Sequence, residues 1–396
     1  MINTPGHPLP TIRPEEVGLS SARLRAMGAV LDERIAAGHL PGAVVLVARQ
    51  GQVAWHEAYG RRDPAGGAPM RTDTIFRIYS MTKPLVSVGV MMLVEAGRLL
   101  LGEPIGKYLP ELADMQVAAA GGGTVPAASP ITIQDLLRHT SGLTYEFRGN
   151  GPVQQAYTAA GIARRGQSNA GQVATLGRLP LLHQPGTRWE YSRSTDVLGR
   201  LIEVVSGQRL GEFLAARICG PLGMVDTGFH VPPAQQGRLA EGFATDPDTG
   251  AAAMTLLDVR EPPEFESGGG GMVGTAADYL RFAQMLADGG QYHGTRLLSR
   301  KTVELMASDH LGGIPGAGDI LPLGHGFGLG FAVRKDRGMA TAPGSVGTFF
   351  WSGMAGTFFW IDPAERLTAV FMMQGVGQRE YYRNLIRNLV YATIVD

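Results

Sequence analysis

Apolar positions at Leu24, Met27, Leu31 and Ile35 recur at three- and four-residue steps, the period of one helix face. Ser20 or Ser21 stands in front as a cap and Gly38 stands behind as a stop, which predicts a helix through about Ala37. The pattern then changes. Gly42 to Ala48 and Val53 to Tyr59 are β-rich runs around Arg49-Gln50-Gly51-Gln52, a hairpin signature. Leu85 to Leu93 is apolar on every side and predicts a buried helix, with Ser80-Met81-Thr82-Lys83 at its head. Helical spacing returns at residues 131–143, at 195–206, at 211–218 and at 276–287, and in pieces between 144 and 185. Residues 330–334, 356–361 and 367–373 read as strands, and residues 380–395 as a last helix. Residues 1–19 are proline-rich and read as extended; residues 118–128 are small, glycine-rich and read as a loop.

Strands thus cluster at both ends of the sequence and helices fill the middle. This distribution predicts an α/β (α+β) protein in which one sheet is built from both chain ends and flanked by the terminal helices, with a helical lobe inserted. The expected boundaries are residues 1–112 with 285–396 for the sheet unit and 113–284 for the mainly helical insertion. A chain of 396 residues is long enough for such a division, and a cleft between the two parts is the expected ligand site.

Charge removes several function classes. Thirty-five basic and thirty-five acidic residues cancel, with no long run of either sign, so neither a nucleic-acid surface nor a polybasic membrane patch is expected. The single cysteine, Cys219, excludes an intramolecular disulfide and a thiolate metal cluster, and reads as a small buried residue. No stretch reaches the ~20 apolar residues of a membrane span, and the first ten residues show neither basic nor apolar leader regions. A cytoplasmic protein is the expectation, with no metal and no cofactor; the oligomeric state stays open.

Candidate chemistry centres on Ser80 and Lys83. On a helix, residues three apart share a face, so the hydroxyl and the amine can meet. A serine hydroxyl attacks only when a base takes its proton, and a lysine can help only when burial or neighbouring charge lowers its pKa. Lys83, Lys107, Lys301 and Lys335 are the only lysines among the thirty-five basic residues, and Lys83 alone has a serine three positions earlier. Arginine does not give up its proton, which suggests a role for Lys83 that arginine cannot fill. A helix-start serine beside a solvated lysine remains the alternative, and this motif alone does not choose.

Three further stretches join it. Tyr191 follows the turn Pro185-Gly186-Thr187 and precedes a helix, where, taken alone, an ordinary core anchor is the better reading. Trp351-Ser352-Gly353 is read as the start of a strand whose small residues let backbone approach a ligand or simply pack. Ser267-Gly268-Gly269-Gly270-Gly271 lacks the ending of a phosphate-binding loop and reads as a place of close backbone packing.

Taken in order, Ser80-Met81-Thr82-Lys83, Tyr191-Ser192-Arg193 and Trp351-Ser352-Gly353 resemble the three motifs of the serine β-lactamase and penicillin-recognising superfamily, in particular its class C-like branch and the family VIII carboxylesterases. Residues 136–143, 220–224, 267–272 and 356–363 extend the resemblance, which covers most of the chain from about residue 20 onward. It implies a β-lactamase-like fold with an antiparallel sheet flanked by helices. It implies that Ser80 is the acylated nucleophile, that Tyr191 is the general base, and that Lys83 lowers the Tyr191 pKa and helps to strip the Ser80 proton. The backbone N–H groups of Ser80 and Met354 would form the oxyanion hole, worth ~3 kcal/mol per donor in other enzymes. Tyr145, Arg193, Trp351, Ser352 and Gly353 would line the substrate cleft; for Tyr145 a packing role is equally open.

Departures from the pattern favour one branch. Arg193 stands where class C β-lactamases have asparagine, and Trp351 replaces the lysine of Lys-Thr-Gly. Losing a cation and gaining an apolar ring favours a neutral ester as the small-molecule substrate, although Arg193 could still meet an acid group. β-Lactamase, D-alanyl peptidase or aminopeptidase, acyltransferase, and an acylated sensor that does not turn over are the alternatives on the same fold. An α/β-hydrolase is disfavoured because no serine sits in Gly-x-Ser-x-Gly, and the nine histidines form no His-Glu-x-x-His pair.

Overall fold

The structure, a computed structural model, describes residues 9–316 and 320–396. The expectation about an N-terminal leader therefore falls largely on residues outside the described ones. Ser20 caps α1 (Ser21–Ala36) by accepting from the Arg23 N–H, and the buried face carries Leu24, Met27 and Leu31. The hairpin follows as β1 (Gly42–Arg49) and β2 (Gln52–Asp63), with a short β3 (Ala68–Pro69). Pro14–Val17 forms a 3-10 turn where an extended segment is expected, because proline at its first position suits a helical start. Residues 116–118 and 124–126 pair as a small hairpin rather than a plain loop.

The remaining strands lie near the other end of the chain: β4 (His325–Phe327), β5 (Ala332–Arg334), β6 (Phe349–Ser352), β7 (Phe358–Asp362) and β8 (Leu367–Met373). Together the eight form one antiparallel sheet in the order β4-β5-β6-β7-β8-β1-β2-β3. β1 pairs with β8 from Ala43 opposite Met373 to Arg49 opposite Leu367. All eight residues of β1 are buried, so both sheet faces are covered there.

Helices cover the two faces. α2 (Thr82–Glu95) packs against α3 (Ser194–Ser206). α4 (Ala276–Ala287) packs on β1, β7 and β8 through contacts such as Tyr279 with Phe359, while α5 (Arg379–Tyr391) sets Tyr391 against Trp360. Residues 359 and 360 are neighbours on β7 and point to opposite faces, which places α4 and α5 on opposite sides. α5 stops at Tyr391, short of Val395, and residues 393 and 394 return to meet Ser20 and Leu19. Among the described residues no helix is long and apolar enough to cross a membrane.

Candidate active site

The nucleophile candidate does not sit in the α-helix itself. Phe76–Arg77 pairs with Val273–Gly274, and a 3-10 turn, Tyr79–Met81, then carries Ser80 into α2. The turn is tight: Tyr79 has φ +44°, a conformation that side-chain-bearing residues rarely adopt. It is held from several directions. Ile78 N–H donates to the Met272 carbonyl at 3.0 Å, Leu257 N–H donates to the Tyr79 hydroxyl at 2.9 Å, and the Tyr279 hydroxyl donates to the Met81 carbonyl at 2.8 Å.

Lys83 lies in the first turn of α2 and is 1% exposed, the depth that a helix apolar on all sides imposes. Its Nζ donates to the Gly269 carbonyl at 2.6 Å, to the Tyr145 hydroxyl at 3.0 Å and to Ser80 Oγ at 3.3 Å. The same nitrogen stands 4.4 Å from the centre of the Tyr191 ring. Burial lowers its pKa from the usual lysine value to about 7; Asp196 opposes the fall and Arg193 adds to it. Tyr191 moves the other way. Burial raises its phenol, while Ser80 and the Trp351 indole, whose Nε1–H donates to the Tyr191 hydroxyl at 3.3 Å, pull it down.

The three motifs therefore meet in one place, with two differences from expectation. Trp351-Ser352 ends β6 instead of opening a strand, because the chain turns back at once: Gly353 N–H donates to the Thr357 carbonyl at 2.8 Å and Gly356 N–H to the Gly353 carbonyl at 3.0 Å. A side chain at Gly353 would collide with the Ile78 carbonyl, so glycine lets this turn press against the nucleophile turn. Arg193 lines the cavity, yet its guanidinium pairs with Glu146 at 2.6 Å and Asp196 at 3.3 Å and lies 4.8 Å over the Tyr145 ring. It is already committed to two carboxylates.

Sequence reasoning missed what holds Lys83. Asp196 Oδ1 accepts from Ser267 Oγ at 2.6 Å and from Gly269 N–H at 2.9 Å, fixing the loop whose carbonyl receives the lysine. A Cβ at Gly269 would stand 2.9 Å from both Asp196 Oδ2 and the Tyr145 hydroxyl. His139, at φ +58°, sets its ring 5.0 Å from that of Tyr191 and its Nδ1 3.2 Å from Ser192 Oγ. Asp196 stands three residues after Arg193 on one helix turn, a visible signal; the Gly269 contact leaves none.

Ser80, Tyr145, Tyr191, Arg193, Trp351, Ser352, Gly353 and Met354 all line one cavity of about 590 Å³. Phe147, Leu257, Phe265, Phe350 and Phe358 supply much of its remaining wall. Volume and mixed lining suit a small organic substrate.

Comparison with known proteins agrees with this geometry. The Beta-lactamase family model matches residues 27–392. The chain belongs to the beta-lactamase family. It is 34% identical over 384 residues to Esterase EstB of Burkholderia gladioli, covering 91% of this chain and 93% of that one. It is 38% identical over 350 residues to an uncharacterised protein of Mycobacterium tuberculosis, covering 85% and 86%. Among solved structures it is similar to EstCE1, a hydrolase with promiscuous acyltransferase activity, at 28% identity and TM-score 0.78 over 93% of this chain and 99% of that one. This beta-lactamase family member is a hydrolase of the beta-lactamase fold.

Proposed function

We propose that this family member is a carboxylesterase that hydrolyses short-chain esters through an acyl-Ser80 intermediate. The observation that carries the reading is the contact of the buried Lys83, whose pKa burial lowers, with Ser80, which lines a cavity whose third-motif wall is Trp351 rather than a cation. EstB and EstCE1, by their names and descriptions an esterase and a hydrolase, support the same class.

In this scheme the amine of Lys83 takes the proton of Ser80 Oγ as that oxygen bonds to the ester carbonyl carbon. The carbonyl oxygen gains the negative charge and is met by the backbone N–H groups of Ser80 and Met354. Tyr191, kept as a phenol by burial, donates its proton to the departing alkoxide and is reprotonated from Lys83. Water then repeats the sequence in reverse roles and frees the carboxylic acid. This division differs from the resemblance-based expectation of Tyr191 as initial base, because the two opposite pKa shifts leave the amine, not the phenolate, as the free base near neutrality. An alcohol in place of water would give acyl transfer by the same steps.

Steady-state hydrolysis of p-nitrophenyl butyrate beside a chromogenic cephalosporin tests the reading. Ester turnover should dominate and should vanish in Ser80→Ala. Full activity in that variant would remove Ser80 from the mechanism, and faster cephalosporin turnover would move the protein to the lactamase branch.

A further inference from the structure

Tyr79 combines three properties at the position in front of Ser80. Its backbone stands at φ +44°, its side chain lines the cavity, and its hydroxyl accepts from the Leu257 N–H at 2.9 Å. A bulky residue keeps such a backbone only where its surroundings over-determine it, and strain of this kind gathers at functional sites.

Leu257 is gripped from a second side. Its carbonyl accepts from Arg77 Nε at 2.5 Å, and the buried Arg77 guanidinium also donates to the Ala240 carbonyl at 2.7 Å and pairs with Glu241 at 3.2 Å. Residues 254–258 belong to no helix or strand. Among the described residues, their backbone is hydrogen-bonded at Leu257 alone, through Tyr79 and Arg77. The two residues that bracket Ile78 thus hold one residue of a long loop by both of its backbone polar groups. The Leu257 side chain packs on the small apolar cluster of Ile75, Val231, Leu239, Val259 and Val273, and it lines the cavity.

We propose that Tyr79 is a specificity-determining residue, whose hydroxyl latches Leu257 in place as the wall that limits the length of the acyl chain. In the scheme above the alcohol departs beside Tyr191, whose ring neighbours among the described residues are His139, Tyr145, Trp189 and Trp351. Tyr79 and Leu257 stand outside that group, which leaves the acyl chain to face them. Phenylalanine in place of Tyr79 keeps the ring and takes the acceptor from the Leu257 N–H. A donor left without its partner is costly until water reaches it, so the loop then yields to a longer chain. The inference rests on the ester-hydrolase reading and gives its preference for short chains a cause in one held leucine.

The test compares kcat/KM for p-nitrophenyl octanoate with that for p-nitrophenyl butyrate in the wild type, in Tyr79→Phe, in Leu257→Ala and in the double variant. The wild type should prefer butyrate. The octanoate-to-butyrate ratio should rise about fivefold or more in each single variant, below the ~10–200-fold that a fixed hydrophobic wall discriminates. The double variant should go little beyond Leu257→Ala, because both changes remove the same wall. A wild-type preference for octanoate, a smaller rise in Tyr79→Phe, or full additivity overturns the proposal; a general loosening of the Ser80 turn would slow both esters alike. A second measurement needs no turnover: calorimetric titration of Ser80→Ala, with and without Tyr79→Phe, using butanamide and octanamide. The octanamide-to-butanamide affinity ratio should rise when the hydroxyl is lost, and an unchanged ratio overturns the latch. If the wild type turns over no ester at all, the hydrolase reading fails by itself, and the titration still judges Tyr79.

Discussion

Lys83 and Tyr145 are joined directly, the ammonium donating to the phenol oxygen at 3.0 Å, although sixty-one residues separate them in the chain. Tyr145 is in turn stacked on Phe147 at 4.7 Å and covered by the Arg193 guanidinium. An acceptor held so firmly favours the charged form of the lysine. Tyr145→Phe should therefore move the acid limb of the kcat/KM profile to lower pH and slow turnover about tenfold, less than the ~10²–10⁴-fold of a lost general acid–base group because the phenol acts through Lys83. A variant with slower turnover and an unmoved limb would mean that the ring only packs.

The acid limb itself should sit near pH 7 in the wild type, where Lys83 loses its proton. Rate should rise through that pH as the free amine appears. A limb near pH 4 to 5 on p-nitrophenyl butyrate, roughly the ordinary carboxylate range, would point to an acidic side chain in its place.

Stability should carry the mirror image of this titration. The folded protein releases the Lys83 proton near pH 7, whereas the unfolded chain keeps it up to the ordinary lysine value of 10.5. Between those values the unfolded state binds more protons, so stability rises with pH. Below pH 7 both states are protonated and the folded one holds a buried ammonium at a cost. Lys83→Met should be more stable than the wild type at about pH 7, by denaturant unfolding, with the difference shrinking toward about pH 10.

Arg193 offers a contrast between binding and architecture. Its removal would leave the buried Asp196 and the partly buried Glu146 without their cation, a change that costs about 3–5 kcal/mol when a buried pair is broken. Arg193→Met should lower the urea midpoint strongly and leave the preference between acidic and neutral esters nearly as it was. A selective rise in KM for carboxylate-bearing esters at unchanged stability would restore the sequence-based role.

Gly353→Ala places a methyl group against the Ile78 carbonyl and the Thr357 hydroxyl. The third-motif turn must then move away from Ser80, and with it the Met354 N–H. Steady-state ester turnover should slow by about two orders of magnitude, in line with a displaced oxyanion donor, at modest cost in melting temperature. Turnover within a few-fold of the wild type would mean that this turn does not hold the oxyanion donor.

Periodicity makes the frame readable. The helix 276–287 and the strand 367–373 follow the apolar pattern residue for residue, and Ser20 announces its own helix by its capping oxygen. Ser80 and Lys83 stand out because lysine is scarce in this chain. The strand Phe349–Ser352 is harder to place, because Phe349, Phe350 and Trp351 carry no alternation to mark where pairing begins and ends. What holds the lysine is harder still. Gly269 acts through a backbone carbonyl, which every residue type carries and which therefore leaves no mark in the sequence. Arg387 reads as one more surface arginine on a polar helix until Phe350 and Phe358 are seen to enclose it.

Because Arg49 pairs with Leu367, β1 has no partner on that side until residues 367–373 have left the ribosome. The 3-10 turn bearing Ser80 waits with it, since Gly353 closes over Ile78 and the Thr357 hydroxyl bonds the Ile78 carbonyl at 3.2 Å. Pairings this distant in sequence form slowly. The turn bearing Ser80 thus meets the strand Phe349–Ser352 and the turn after it only once residues 349–357 have been made.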